Sequence, residues 1–195
     1  MYSAPEIRTE RLFLRRWRLG DRLSFAALNS DPEVLAYFPA VLARAESDAL
    51  ADRIEASFEV RGFGLWAVEV IDGAPFIGFI GLEIPQFEAG FTPCVEVGWR
   101  LARQSWGRGY ATEGALAALA FGFDTVGLEE IVSFTSASNV RSRAVMERIG
   151  MTRDPADDFE HPSLPQGHAL RQHVLYRIAS AGMPEFKSEV QHLRF

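Results

Sequence analysis

A single cysteine, Cys94, stands among 195 residues, which excludes an internal disulfide and fits a reducing compartment. It precedes an apolar alternating stretch, where a small core residue is expected, and no histidine lies close in sequence to support a catalytic thiol. Basic residues are also in deficit. The formal net charge of −6 argues against general nucleic-acid binding, which wants a basic face, and mildly favours a cationic acceptor such as an amine. Long apolar runs are missing: nothing approaches the roughly 20 residues needed to span a bilayer. The first residues mix Arg and Glu with apolar side chains and lack a signal-peptide core. His161, His168 and His173 have no tight metal-ligand spacing, so no metal site is expected. Repeats, low-complexity tracts and linkers are absent as well. The expectation is one cytoplasmic domain over residues 1–195, with ordinary contents of 48% hydrophobic and 24% charged residues and no membrane or nucleic-acid partner.

What is there centres on residues 95–123. In the front half Val95, Val97, Trp99 and Leu101 fall on one face and Glu96, Gly98 and Arg100 on the other, the period-2 signature of a strand. From Thr112 onward, Leu116, Leu119, Ala120 and Phe123 recur at three- and four-residue steps, which predicts a helix with one apolar face. Between them lies the turn Gln104-Ser105-Trp106-Gly107-Arg108-Gly109. A helix start offers unpaired N–H groups and partial positive charge, and glycines let an anion approach the backbone. Phosphate binding follows, with Arg103 and Arg108 adding charge; the plain alternative is an ordinary strand-to-helix connection.

Three phosphate loops can be compared with that turn. A P-loop needs a Lys after its last glycine, and none is present. A dinucleotide fingerprint needs a third glycine where Thr112 stands, although Glu129 lies about twenty residues on, as that fingerprint wants. The third match is complete: Gln104-x-x-Gly107-x-Gly109 resembles the [Q/R]-x-x-G-x-[G/A] acyl-CoA pyrophosphate loop of the GNAT superfamily of N-acetyltransferases. Two further segments agree. Thr9-Glu10-Arg11-Leu12-x-Leu14-Arg15 resembles the opening strand of the RimJ/RimL-like branch, and residues 139–151 are similar to its N-x-x-S-x-x-[VL]-x-x-[KR]-x-G-[FM] segment.

The remaining chain reads as follows. A first strand covers 11–17, and Asp21 is placed to N-cap a helix through about Leu28. Asp31-Pro32 opens a short helix that ends at Tyr37-Phe38-Pro39. A longer helix over 45–61, starting near Ser47 or Asp48, carries Leu50, Ile54 and Phe58 on one face. Residues 66–71 and 75–84 form a hairpin around Asp72-Gly73, with Gly78 and Gly81 suggesting a bulge or a close backbone approach. Residues 85–93 are a loop, and residues 131–135 a strand. A helix over 140–149 is closed by Gly150. Residues 171–178 form a last strand, and 185–195 a short helix or a frayed tail.

The resemblance implies an α/β (α+β) GNAT fold. That means a mixed, mostly antiparallel sheet of about seven strands, helices on both faces, and a splayed central strand pair that takes the pantetheine arm of acetyl-CoA. It implies an acetyl-CoA-dependent N-acetyltransferase acting on a protein N-terminus or small amine, as a monomer or homodimer. The amine must lose a proton, and Glu96 is the candidate base; a solvated or ion-paired strand residue is its other reading. The backbone near Leu101 is placed to donate to the oxyanion. Ser142 is placed to hydrogen-bond the departing thiolate. Arg103, Gln104, Trp106, Gly107, Arg108, Gly109, Tyr110, Ala111 and Thr112 would hold the pyrophosphate, and Asn139 the pantetheine, unless it only caps its helix. Tyr37, Phe38, Trp66 and His173 are candidates for the acceptor pocket. A non-catalytic acyl-CoA-binding module and, more distantly, a nicotinamide-dependent oxidoreductase are the other functional classes.

Overall fold

Alternating apolar residues become the strands of one sheet in the structure, a computed structural model that describes residues 5–184, 186 and 189–191. The strands are β1 (Glu6–Arg8), β2 (Leu12–Arg15), β3 (Leu65–Val70), β4 (Gly78–Glu83), β5 (Glu96–Leu101), β6 (Glu130–Ser136), β7 (Thr152–Arg153), β8 (Phe159–Glu160), β9 (Gln172–Ala179) and β10 (Glu189–Gln191). Their order is β10-β1-β2-β3-β4-β5-β6-β9-β7, with β8 also on β9. Every pairing is antiparallel except β5 with β6. The ten strands among the described residues exceed the expected seven because β1, β7, β8 and β10 are too short for an alternation to register. The helix expected in residues 185–195 is corrected at 189–191, which is strand; apart from Phe186, the rest of that segment lies outside the described residues. The last long strand does pair with residues 131–135, Ile131 opposite Ile178 and Thr135 opposite Val174.

Among the described residues, four helices cover both faces: α1 (Asp21–Ser30), α2 (Arg44–Arg61), α3 (Tyr110–Phe121) and α4 (Val140–Arg148). Trp66 and Ile80, directly opposed on β3 and β4, point toward α3, where Phe121 meets Trp66 at 5.2 Å and Gly114 abuts Ile80. Phe79 points the other way and meets Phe25 of α1 at 6.0 Å. On α2, Ala51, Ile54 and Phe58 are buried. The single apolar face expected for α3 is replaced by burial on nearly every side, since the sheet and α4 both pack on it. Gly81 confirms a close backbone approach, because a Cβ there would lie 2.2 Å from the Gly64 carbonyl oxygen.

Two helix-start readings are corrected. Asp31-Pro32 begins only a run of turns, in which Asp31 accepts the Leu35 N–H at 3.0 Å through its carbonyl and the Glu33 N–H at 2.9 Å through its carboxylate. Asp21 is the first residue of α1 and not its cap. Its carboxylate is drawn to Arg15, taking Nη1 at 2.8 Å and Nη2 at 2.9 Å. Arg15, only 1% exposed, also donates Nε to Glu69 at 2.8 Å and reaches the carbonyls of Arg16 and Pro75 at 3.0 and 2.7 Å. All five guanidinium N–H donors are thereby used. Removing this cation strands a buried carboxylate, so Arg15→Ala should lower unfolding stability by about 3–5 kcal/mol in denaturant titration.

Candidate active site

The site begins where two strands part. β5 pairs with β4 along its whole length, from Glu96 opposite Glu83 to Leu101 opposite Gly78, but with β6 only at Glu96 opposite Val132. Val132 donates its N–H to the Val95 carbonyl at 2.9 Å, and the Ser133 hydroxyl donates to the Val97 carbonyl at 2.8 Å. Past that point the strands diverge, and a cavity of about 900 Å³ opens between them. At its far end the Trp106 indole donates to the Leu101 carbonyl at 2.8 Å, and the Arg141 guanidinium of α4 sits 4.7 Å from the Trp106 ring centroid.

Gly107 (φ 72°) and Gly109 (φ 81°) occupy left-handed backbone that other residues adopt at a cost, and nothing lies above Gly107. The α3 N-terminus that follows has no side-chain cap and opens on the cavity through Tyr110, Ala111 and Thr112. Its first-turn acid, Glu113, is held away: it accepts the Thr9 hydroxyl at 2.6 Å and the Arg11 N–H at 2.9 Å and Nε at 2.6 Å. Arg11 also donates to the Arg108 carbonyl at 2.9 Å and lies over the Tyr110 ring. α4 differs, because Asn139 caps it, accepting the Ser142 N–H at 3.3 Å and donating to Thr135 and to the Ser142 hydroxyl at 2.9 and 3.1 Å.

The sheet face toward α1 forms the floor. Glu83 opposes Glu96, Gly81 opposes Gly98, and Phe79 opposes Arg100. Burial, and then the neighbouring Glu83, hold the Glu96 carboxyl well above the ordinary carboxylate range. Glu83 is raised by burial as well, with Arg61, Arg53 and Arg100 opposing. Two facing carboxyls in a desolvated site disfavour being ionised together, so their titrations are coupled. His173 and His161, with ring centroids 4.9 Å apart, also line the cavity, and burial lowers both below the usual imidazole value. Cys94 is pushed up to about 11 by burial and by Glu96, so its thiol stays protonated.

Most residues chosen from sequence meet here. Glu96, Leu101, Trp106, Gly107, Gly109, Tyr110, Ala111, Thr112, Asn139, Ser142, Tyr37, Phe38 and His173 all line the cavity. Trp66 does not, and its assignment to the acceptor pocket is corrected. Its indole is fully buried between Phe58 and Phe121, and it donates to the Pro5 carbonyl at 2.9 Å. Arg103 pairs with Glu33 at 2.6 Å on the surface. Gln104 and the Arg108 side chain are exposed and do not line the cavity. Sequence reasoning missed Glu83, Arg100 and Arg141. The alternation that selected Glu96 also marks Arg100, but the register with β4 needed to find Glu83 is not local.

A splayed parallel pair beside a glycine-rich, uncapped helix start is the arrangement of an acyl-CoA-dependent acetyltransferase. The family model described as "Acetyltransferase (GNAT) domain" matches residues 11–152, and the chain belongs to that family. It is similar to the FsC-acetyl coenzyme A-N(2)-transacetylase of Aspergillus fumigatus, 32% identical over 157 residues that cover 77% of this chain and 66% of the relative. It is also similar to the uncharacterized N-acetyltransferase YnaD of Bacillus subtilis, at 27% identity over 88% of this chain and 95% of the relative. A crystal structure of the acetyltransferase from Agrobacterium tumefaciens superimposes with a TM-score of 0.73 at 28% identity, covering 92% of this chain and 97% of that one. The protein is therefore an acetyl-CoA-dependent acyltransferase, and the dinucleotide alternative falls.

The raised Glu96 carboxyl links stability to pH. Unfolded, its carboxyl titrates near 4.3. Folded, it holds its proton to a higher pH, so stability is given up as pH rises through that interval and none is lost below it. Glu96→Gln should leave the thermal midpoint unchanged near pH 4 and raise it above pH 7, by about 2–4 °C per kcal/mol recovered for a chain of this size.

Proposed function

We propose that this protein transfers an acetyl group from acetyl-CoA to a primary amine by direct attack within a ternary complex. The amine is a protein N-terminus or a small molecule, as in the RimJ/RimL-like branch that the residue 9–15 and 139–151 segments resemble. The observation that carries the reading is one cavity bounded by the uncapped α3 N-terminus, the open β5 edge and the half-buried Glu96.

Each residue then has a task. The α3 N–H groups at Tyr110, Ala111 and Thr112 take the pyrophosphate, and Arg141 adds charge at the mouth. Asn139 and the β5 edge flank the pantetheine. Glu96 receives the proton that the amine must lose before its lone pair can attack. As the N–C bond forms, the Leu101 N–H donates to the carbonyl oxygen that gains charge. The C–S bond breaks and the Ser142 hydroxyl hydrogen-bonds the leaving thiolate. The Asn139 Nδ2 already donates to the Ser142 oxygen, which leaves the hydroxyl proton free to point at the sulfur.

Acetyl-CoA at a hundredfold excess over its dissociation constant should stabilise the folded protein by about 2.7 kcal/mol in thermal unfolding, with no shift from NADH. In thiol-release assays with an amine panel, Glu96→Gln should keep that shift and lower kcat by about a hundredfold or more. An unchanged kcat in this variant would assign the proton to another base or to water.

A further inference from the structure

Two arginines on one face of the sheet differ sharply in their partners. Arg15 has every donor occupied and two carboxylates in contact. Arg100 projects from β5 two residues from Gly98, and its guanidinium carbon lies 4.2 Å from the Phe38 ring centroid and 5.3 Å from that of Phe79. Among the described residues, its one hydrogen bond goes from Nη1 to the neutral Asn29 Oδ1 at 2.6 Å. Its Nε is buried with no partner, and among the described residues no carboxylate pairs with it. The opposite charge that acts on it is Glu83, through space and not in contact, and Glu33, the other acid at this end of the cavity, pairs with Arg103.

A desolvated cation with idle donors is expensive unless something completes it. Burial lowers Arg100 to about 10, which still leaves it charged at neutral pH. Several features place its missing partner on the acceptor side of the cavity. Arg100 is flanked by Phe38 from the turn after α1 and by Asn29 of α1 itself, away from the glycine turn and α4. Gly98 has open space above it, with only Glu96 Oε1 near, at 3.9 Å from where a Cβ would be. The trough over Gly98 is thus acidic at the Glu96 end and cationic at the Arg100 end.

We propose that Arg100 binds an anionic group of the acceptor, so that the substrate is an amine that also carries a carboxylate, of amino-acid type, and not a polycation. The proposal rests on the acetyltransferase reading for the amine, but the anion subsite can be tested without turnover. A planar guanidinium takes a carboxylate through two parallel N–H bonds, whereas an amide or an ammonium offers it no such partner. The aromatic rings of Phe38 and Phe79 flank the guanidinium.

The test is titration calorimetry on protein loaded with CoA, which cannot transfer acetyl. The probes are glycine, β-alanine, 4-aminobutanoate, L-phenylalanine and L-glutamate, each beside its carboxamide, with spermidine as the polycation. The expected result is that at least one acid binds about tenfold or more tightly than its amide, the size of a charge-assisted hydrogen bond. In Arg100→Gln that difference should vanish while CoA affinity is unchanged, and Arg100→Lys should restore part of it. Acids that bind no better than their amides, tighter binding of spermidine, or a difference that survives in Arg100→Gln would each overturn the proposal. So would a loss of CoA affinity in Arg100→Gln, which would assign the cation to the cofactor. Failure of CoA to bind the wild type would instead sink the acetyltransferase reading.

Discussion

The parting of β5 from β6 is the constraint on which the rest depends. A strand inside a sheet normally has both edges satisfied, and unpaired backbone groups in a buried place are costly. Here the exposed edge is partly closed by side chains. The Ser133 hydroxyl takes the Val97 carbonyl and the Trp106 indole takes the Leu101 carbonyl. Both are donors, so what they leave unclaimed on that edge is weighted toward N–H groups. An edge that has lost acceptors and kept donors suits a ligand carbonyl, and a ligand amide arm can replace the missing strand. Parallel pairing makes the divergence easier to sustain, since helices α3 and α4 pack against each other beside the opening.

The same sheet face separates structural from chemical charge. Arg15, Asp21 and Glu69 close on one another, with each charge matched and hydrogen-bonded. A few residues along, Glu83, Glu96 and Arg100 are brought together by strand register and then left incomplete. Burial raises both acids and lowers the base, so each is held toward its neutral form. Such a cluster is costly to leave unfilled, and the proposed acceptor, with an amine and an anion, would complete it. Gly98, between the two ends, keeps the middle of the trough free of a side chain.

How much of this was legible in the sequence follows the range of the forces involved. Local signals carried well: the period-2 run of β5, the Asp72-Gly73 turn and the Gly150 stop after α4 all stand in the structure. The glycine turn was legible because its two left-handed residues admit little else. Readings failed where a distant partner competed with a local rule. Asp21 has the residue type of a cap, but a buried guanidinium on β2 outbids an exposed N–H. Trp66 was an aromatic near the expected pocket, yet strand phase turns it to α3. The roles of Glu83 and Arg100 were not legible because they lie in what faces them across β4 and β5, which no single stretch encodes.

The tie between β1–β2 and the start of α3 explains why two segments about a hundred residues apart belong to one device. A negative residue in a helix's first turn is favoured by the dipole, and Glu113 fits that rule. Left free, it would also be an anion resident at the place where another anion must bind, competing for the same N–H groups. Thr9 and Arg11 remove it from the competition, taking both carboxylate oxygens toward the β1–β2 turn. Arg11 then reaches the Arg108 carbonyl, fixing the glycine turn between its two left-handed residues. Residues that look structural in the β1–β2 turn thus hold Glu113 away from the uncapped start of α3. That is the condition for a pyrophosphate to be the preferred occupant.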